Sequence, residues 1–472
     1  MMSVLDRTKQ TFGIYAVRKE LVYTHEISRL PRFISEYLIA KFGSDGELSA
    51  EDLKKLSDFV NIHFPELRDR DKVLHDLMTL GTYTLMDEFK VETDIKLGKH
   101  RLIIPCMNVR DAQILDSILD ENADLLRSGM WGIATLKYMP AEGSDGKSDT
   151  SPILLTKFTP FQVTNVNAKD FASKRSTFNR DDWIDLLVRS IGLNPGVYNF
   201  EQKMLLLCRL VPLVEPNTNM VELGPKATGK TYLYRNISYH TRVISGGRVS
   251  PATLFYNIST KSVGEIGVRD CVVLDEIGKL TFSNSEEMIG KLKDYMVDGF
   301  FERGPKKAHA TCSLVFMGNM EFGSNVPEPS EVVSSLPAFM RDSAVIDRMH
   351  TLIPGWELPK IKQSKEHLAT GYGIVADYLS EVFHQLTMES YGSIIAEKVR
   401  LEGDVTIRDE KAVKKVASGL LKLLCPDRRC EASDVEICVN IATRGRERII
   451  SILHEISPGE FRPKKLEYSI VR

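Results

Sequence analysis

Residues 224–231 read Gly-Pro-Lys-Ala-Thr-Gly-Lys-Thr and fill every fixed place of the pattern G-x-x-x-x-G-K-[ST]. The pattern constrains the fold around it. Its glycines let the backbone wrap closely around a tetrahedral anion. The turn has to lie between a strand and a helix so that backbone N–H groups face that anion. The flanks agree, because Met220-Val-Glu-Leu223 suits a buried strand and Tyr232-Leu-Tyr-Arg-Asn-Ile237 continues as a helix. Gly224, Pro225, Lys226, Ala227, Thr228, Gly229, Lys230 and Thr231 are therefore the expected cradle for ATP. Lys230 supplies positive charge at the β- and γ-phosphates, and the Thr231 hydroxyl is a ligand for Mg²⁺.

Further along, Cys271-Val-Val-Leu-Asp275-Glu276 is an apolar run ending in two carboxylates. Solvated acids at a strand end are common and mean little alone. After a phosphate loop they gain roles: Asp275 holds Mg²⁺ through water, and Glu276 orients and deprotonates the attacking water. A third apolar run, Cys312-Ser-Leu-Val-Phe-Met-Gly-Asn319, ends in an amide suited to positioning that water.

Between residues 181 and 365 apolar β-runs alternate with helices, which predicts an α/β fold with a parallel sheet. Residues 1–85 read as helical, with Phe33, Tyr37 and Leu38 on one face and Ser49 as an N-cap. From 86 to 165 the period shortens. Phe89, Val91 and Ile95 lead through Leu97-Gly98-Lys99-His100 into Leu102-Ile-Ile104, a strand, turn and strand. Met130–Tyr138 and Pro152–Phe158 read as two more strands, with an exposed loop at Glu142–Thr150. A small β-domain is expected here, either a barrel of the oligonucleotide-binding type or a plain packing or oligomerisation domain. Residues 166–180, rich in Asn, Lys, Ser and Arg, read as a linker. Residues 366–472 read as helices followed by a Pro/Lys-containing tail.

Charge narrows the partners. Lys+Arg is 62 and Asp+Glu 64, a net charge of −2, so contact with nucleic acid has to come from a local patch. Phe300-Phe-Glu-Arg-Gly-Pro-Lys-Lys-Ala-His-Ala310 reads as a hairpin with a basic tip, placing Arg303, Lys306 and Lys307 against phosphates. Lys99 and Arg101, with His100 between them, form a second basic turn. Short basic turns also occur simply as solubilising surface. The seven cysteines are an odd, scattered set and read as reduced thiols. Cys425, Cys430 and Cys438 lie closest together, but without CxxC spacing or an intervening histidine they read as small residues in a helical region rather than a zinc site. The N-terminus lacks an apolar signal core and no run of about 18 apolar residues occurs, so a cytoplasmic chain without a membrane span is expected.

The phosphate loop, the Asp275-Glu276 strand and the Asn319 strand, in that order, resemble an AAA+ ATPase core followed by a helical lid. The strand ending at Asn319 matches the water-sensing position of that class. Ile346-Asp-Arg-Met349 resembles the segment carrying an arginine finger that works on a neighbour's γ-phosphate. Arg348 is the expected finger, Arg341 the alternative, and a surface ion pair with Asp342 or Asp347 the bland reading. Val405-Thr-Ile-Arg408 resembles the second arginine sensor of minichromosome-maintenance helicases, whose pore hairpin also corresponds to residues 300–310.

The resemblance then becomes more specific. Arg180-Asp-Asp-Trp-Ile-Asp-Leu-Leu187, Ser190-Ile-Gly-Leu-Asn-Pro195, Glu222-Leu-Gly-Pro-Lys226, Ile244-Ser-Gly-Gly247, Ile353-Pro-Gly-Trp-Glu357 and Tyr15-Ala-Val-Arg-Lys-Glu-Leu21 are similar to the Lon-like BrxL family of BREX phage-defence systems. That resemblance implies a homo-oligomeric ring, a hexamer or paired hexamers, acting on DNA beside other BREX proteins. Longer relatives carry a Lon-type Ser–Lys domain. Here the sequence stops at Arg472, and Ser418 in Val-Ala-Ser-Gly-Leu lacks the Lon serine's framing, so a short form without protease activity is expected. Two rivals remain at this stage. One is a protein unfoldase feeding a separate protease, which Phe300 and Phe301 would serve. The other is a non-hydrolysing scaffold, which Lys230, Asp275 and Glu276 argue against.

Overall fold

A computed structural model describes the chain except for residues 1–3, 26, 44–46, 95–97, 128, 141–150, 162–165, 324–325, 363 and 472. The expected strand positions Ile95 and Leu97 and the expected loop at 142–150 lie outside the described residues. The chain divides into two units: Leu21–Asn165, and Met1–Glu20 together with Val166–Arg472.

In the first unit, helices Arg32–Phe42, Ala50–His63 and Arg70–Leu80 precede a closed five-stranded barrel. Ser49 caps the second helix: its side chain accepts from the Asp52 N–H while the Asp52 side chain accepts from the Ser49 N–H. Around the barrel the strands run Thr82–Asp94, Lys99–Ile104, Val109–Ile114, Ile153–Pro160 and Met130–Tyr138, and the last pairs back to the first. Leu85, Phe89, Val91, Leu102, Ile104, Ala112, Ala134, Leu136 and Leu155 fill the interior at every second position. Closure depends on Val109–Ile114, whose Gln113 and Ile114 pair in parallel with Leu154 and Leu155. The sequence does not mark this strand, because Val-Arg-Asp-Ala-Gln-Ile scarcely alternates.

The second unit is built on five parallel strands, which across the sheet run Thr351–Pro354, Asn219–Gly224, Ser313–Asn319, Cys271–Phe282 and Thr241–Val249. The strand Asn219–Gly224 is buried throughout and Ser313–Asn319 nearly so, which explains their continuous apolar runs. Thr241–Val249, at the sheet edge, is exposed or half-buried at every residue but the last. Helices Ile407–Leu424 and Ala432–Ile456 pack against each other.

Three sequence expectations change here. The first twenty residues do not belong with the other N-terminal helices, since Ala16–Arg18 pairs antiparallel with Tyr372–Ile374. Residues 166–180 are not a plain linker. Helix Ala168–Lys174 buries Phe171, and Phe178 is buried too, with both rings within 6 Å of Trp183. The Pro/Lys-containing tail includes a strand, since Glu467–Ile470 forms a ladder with Val399–Glu402. Among the described residues no helix is long and apolar enough to cross a membrane.

Candidate active site

The phosphate loop begins where the strand Asn219–Gly224 ends and runs into the helix Lys230–Asn236. Ala227 and Gly229 take left-handed backbone, with φ of 65° and 77°. Gly224 is needed for a different reason. A Cβ there would meet the Gly355 carbonyl carbon at 2.6 Å and the Trp356 nitrogen at 2.9 Å. The segment Ile353–Glu357 therefore packs backbone to backbone on the start of the loop.

Lys230 is 6% exposed, and its Nζ donates to the carbonyls of Gly224 (3.1 Å) and Pro225 (2.9 Å). Burial pushes its pKa down, against the opposing pull of Glu222. A buried ammonium held by neutral carbonyls favours the arrival of an anion. In the same loop, the buried Thr228 Oγ1 has no hydrogen-bond partner among the described residues. Both observations fit a phosphate chain. Thr231 Oγ1 donates to Asp275 Oδ2 at 2.8 Å, an all-oxygen donor pair of the kind that suits Mg²⁺.

Glu276 follows with φ 52°, a left-handed conformation uncommon for a non-glycine residue. The ladder between Cys271–Phe282 and Thr241–Val249 slips between Asp275 and Leu280. The Glu276 carboxylate lies 3.2 Å from Lys279 Nζ and against Gly246. Asn319 ends its strand in register with Gly224, and the next N–H, that of Met320, donates to the Gly224 carbonyl. Lys230, Thr231, Asp275, Glu276 and Asn319 thus gather where the strands Asn219–Gly224 and Ser313–Asn319 end, beside the slip in the neighbouring strand, which continues past the expected end at Glu276 to Phe282.

The arginines lie elsewhere. His350 N–H donates to the Asn219 carbonyl, and Asn219 Nδ2 donates to the Arg348 carbonyl at 3.2 Å. Arg348 therefore sits at the beginning of the phosphate-loop strand, about 16 Å from its end at about 3.3 Å per residue. Its Nη1 donates to the Ala344 carbonyl (2.6 Å), while its buried Nε has no partner among the described residues. Desolvation, then the nearby Arg408, lower its pKa. Arg408 joins the same cluster through the Asp347 carboxylate. Thr406, rather than Arg408, caps the helix Ile407–Leu424. Arg341 is satisfied locally by the carbonyls of Leu336 and Ser334, both at 2.9 Å.

Residues 153–467 match the family model for the ATPase domain of Lon-like protease BrxL-like proteins. Residues 10–138 match the model for the N-terminal domain of BREX system Lon protease-like protein BrxL. The chain belongs to the BrxL family. It is 32% identical over 456 residues to "Lon-like protease BrxL" of Escherichia coli O9:H4 (strain HS), covering 96% of this chain and 65% of the relative. It is 34% identical over 462 residues to "Lon-like protease BrxL" of Bacillus cereus (strain H3081.97), covering 97% of this chain and 68% of the relative. The chain thus spans about two thirds of the length of these two BrxL relatives.

In this BrxL-family chain two buried ion networks brace the site, and neither was read from sequence. Arg209 makes a two-pronged pair with Glu222 (3.0 and 2.6 Å), and its Nη1 donates to the Thr228 carbonyl of the phosphate loop (3.1 Å). Arg209 and Glu222 are both fully buried. Arg446, 1% exposed, donates to Asp347 Oδ1 and Asp409 Oδ1, each at 2.8 Å. It holds one oxygen of the carboxylate whose other oxygen holds Arg408. Such pairs carry no local signature, since the partners are far apart in sequence. Arg209→Met should cost about 3–5 kcal/mol in urea unfolding, because it strands the buried Glu222 carboxylate. Adding Glu222→Leu should recover most of that loss. A single-variant loss below about 1 kcal/mol would contradict this assignment.

The hairpin pairs Phe300–Arg303 with Lys306–His309 around Gly304-Pro305. Arg303 is held by Glu287 (3.0 Å) and the Tyr256 carbonyl, while Lys307 makes an exposed pair with Glu302. In the other unit, Lys99 lies opposite Asp94, and Arg101 pairs with Asp94 at 2.8 Å.

Proposed function

We propose that this chain is an ATP-hydrolysing AAA+ subunit that assembles into a ring, hexameric or a pair of hexamers, and binds and translocates on DNA in BREX phage defence beside other BREX proteins. The observation that carries the reading is the Thr231–Asp275 contact beside buried Lys230, with Glu276 the next residue. Lys230 offsets charge at the β- and γ-phosphates. Thr231 and Asp275 would hold Mg²⁺, which when bound neutralises phosphate charge. Glu276 takes the proton of the attacking water, and Asn319 orients that water. Helices after residue 366 form the lid of the AAA+ arrangement, and the closed barrel supports the oligonucleotide-binding type.

Arg348 cannot reach the phosphate loop of its own chain, because the length of a strand separates them. Its partner phosphate then belongs to a neighbouring copy, and Arg408 serves the same phosphate. The orphan Nε of Arg348 and the carbonyl-satisfied state of Arg341 support choosing Arg348 as the finger.

The hairpin favours DNA over polypeptide as the threaded partner. Phe301 is 1% exposed and packs on Phe255 and Tyr295. Phe300 lies at the base, opposite His309, while the tip carries Lys306 and Lys307. Converting Lys306→Glu and Lys307→Glu together should weaken binding to duplex or single-stranded DNA. The slope of log affinity against log salt should shrink by about one for each phosphate that is no longer neutralised. Fluorescence anisotropy at two salt concentrations measures both, and unchanged affinity in the double variant removes the pore hairpin from the reading.

A further inference from the structure

Away from the phosphate loop, three separate segments converge on a cluster of imidazoles and carboxylates. His240 immediately precedes the strand Thr241–Val249, and Asp270 immediately precedes the strand Cys271–Phe282. Glu381 and His384 stand three residues apart on the helix Ala376–Thr387, so they share one helix face. His240 Nε2 is 2.8 Å from Glu381 Oε1, and His384 Nδ1 is 2.7 Å from Asp270 Oδ2. The two imidazoles stack with centroids 4.4 Å apart and planes 16° apart. One donor atom from each of His240, Asp270 and His384 lies within 4.8 Å of the others. All four side chains are partly buried, from 16% to 34% exposed.

We propose that His240, Asp270, His384 and Glu381 form a structural site for a divalent transition ion of the Zn²⁺ class. Two neutral imidazoles with two carboxylates balance the charge of a divalent ion, and imidazole selects Zn²⁺, Co²⁺ or Ni²⁺ over Mg²⁺ or Ca²⁺. Donors around tetrahedral zinc lie about 3.4 Å apart for bonds of about 2.1 Å, so the His240, Asp270 and His384 donors, now within 4.8 Å of one another, contract by up to about 1.4 Å, with Glu381 completing the set from its place 2.8 Å from His240 Nε2. One movement is required. A metal ion lies in the plane of each imidazole it binds, and stacked parallel rings cannot share one. His384, the more exposed of the two at 34%, turns its ring out of the stack. The ion would staple the helix Ala376–Thr387 to the starts of two sheet strands. Asp275 lies five residues further along the chain than Asp270, about 16 Å away at about 3.3 Å per residue, so the staple stands clear of the phosphate loop.

The test is titration of untagged, chelator-stripped full chain with Zn²⁺ alone, without nucleotide, by calorimetry. The expected result is one ion per chain at micromolar affinity or tighter, with a raised melting temperature. His384→Ala, Glu381→Gln and Asp270→Asn should each bind about 100-fold more weakly, while Cys425→Ser with Cys430→Ser should bind as the parent does. Co²⁺ substitution in the unaltered chain gives a readout that does not depend on any variant folding. Four-coordinate d–d bands without a thiolate charge-transfer band support the site. Absence of stoichiometric Zn²⁺ binding, a thiolate band, or binding lost only in the cysteine variant overturns it. ATP turnover and DNA affinity do not enter these readouts, so the outcome is independent of the proposed motor activity.

Discussion

Glu276→Gln should leave ATP bound and lower turnover by roughly 10²–10⁴-fold, the usual contribution of a positioned general base. The amide keeps the shape and hydrogen-bonding reach of the carboxylate but cannot accept the water's proton. Asp275, Thr231 and Lys230 are untouched, and their mutual contacts do not pass through the Glu276 side chain. The only ion pair removed among the described residues is that with Lys279, whose side chain is 74% exposed. An exposed pair of that kind contributes too little to confuse the result. The left-handed backbone of Glu276 is tolerated by glutamine as well as by glutamate, so folding should be unchanged. Nucleotide affinity by calorimetry and steady-state phosphate release check the two halves. Turnover within a few-fold of the parent would show that another group takes the proton.

Arg348→Ala should lower turnover by roughly 10³–10⁵-fold, the range for arginine fingers in phosphoryl transfer, while single subunits bind ATP normally. The distinguishing test is mixing. A chain with Lys230→Ala has a disabled loop but an intact Arg348. A chain with Arg348→Ala has an intact loop but no finger. Each is inactive alone, yet a mixed ring places an intact finger against an intact loop, so activity should return in the mixture. A finger acting within its own chain gives no recovery, and a merely structural arginine makes the Arg348→Ala chain alone a poor folder and likewise gives no recovery. Arg408→Ala should behave in the same direction, since both guanidinium groups flank Asp347.

The parts legible from sequence are those where chemistry fixes local residue order. The phosphate loop was readable because close backbone approach to an anion demands glycines at set places. The stretch leading to Asp275 and the strand ending in Asn319 were readable because two-sided burial writes an unbroken apolar run, whereas the continuation of the first strand to Phe282 is partly exposed and left no such mark. What escaped was set by tertiary context. Thr241–Val249 runs along the sheet edge with Gly246 and Gly247 inside it, so neither alternation nor an apolar run marks it. Helix Ala168–Lys174 buries its face through Phe171 among polar neighbours, and its composition imitates a linker. The joining of Ala16–Arg18 to Tyr372–Ile374 spans most of the chain. Arg209 and Arg446 look like ordinary basic residues until folding brings Glu222, Asp347 and Asp409 to them. The cluster at His240 and His384 is equally invisible in one dimension.

On the proposed function, nucleotide turnover at the Lys230–Asp275–Glu276 site is coupled to DNA held by the same assembly. The most direct measurement is steady-state ATP hydrolysis with and without duplex and single-stranded DNA, at low and high salt. Stimulation by DNA that fades as salt rises is the predicted result, and the more effective form identifies the strand that is gripped. Turnover indifferent to DNA but raised by an unfolded polypeptide would contradict the account and assign the ring to protein remodelling.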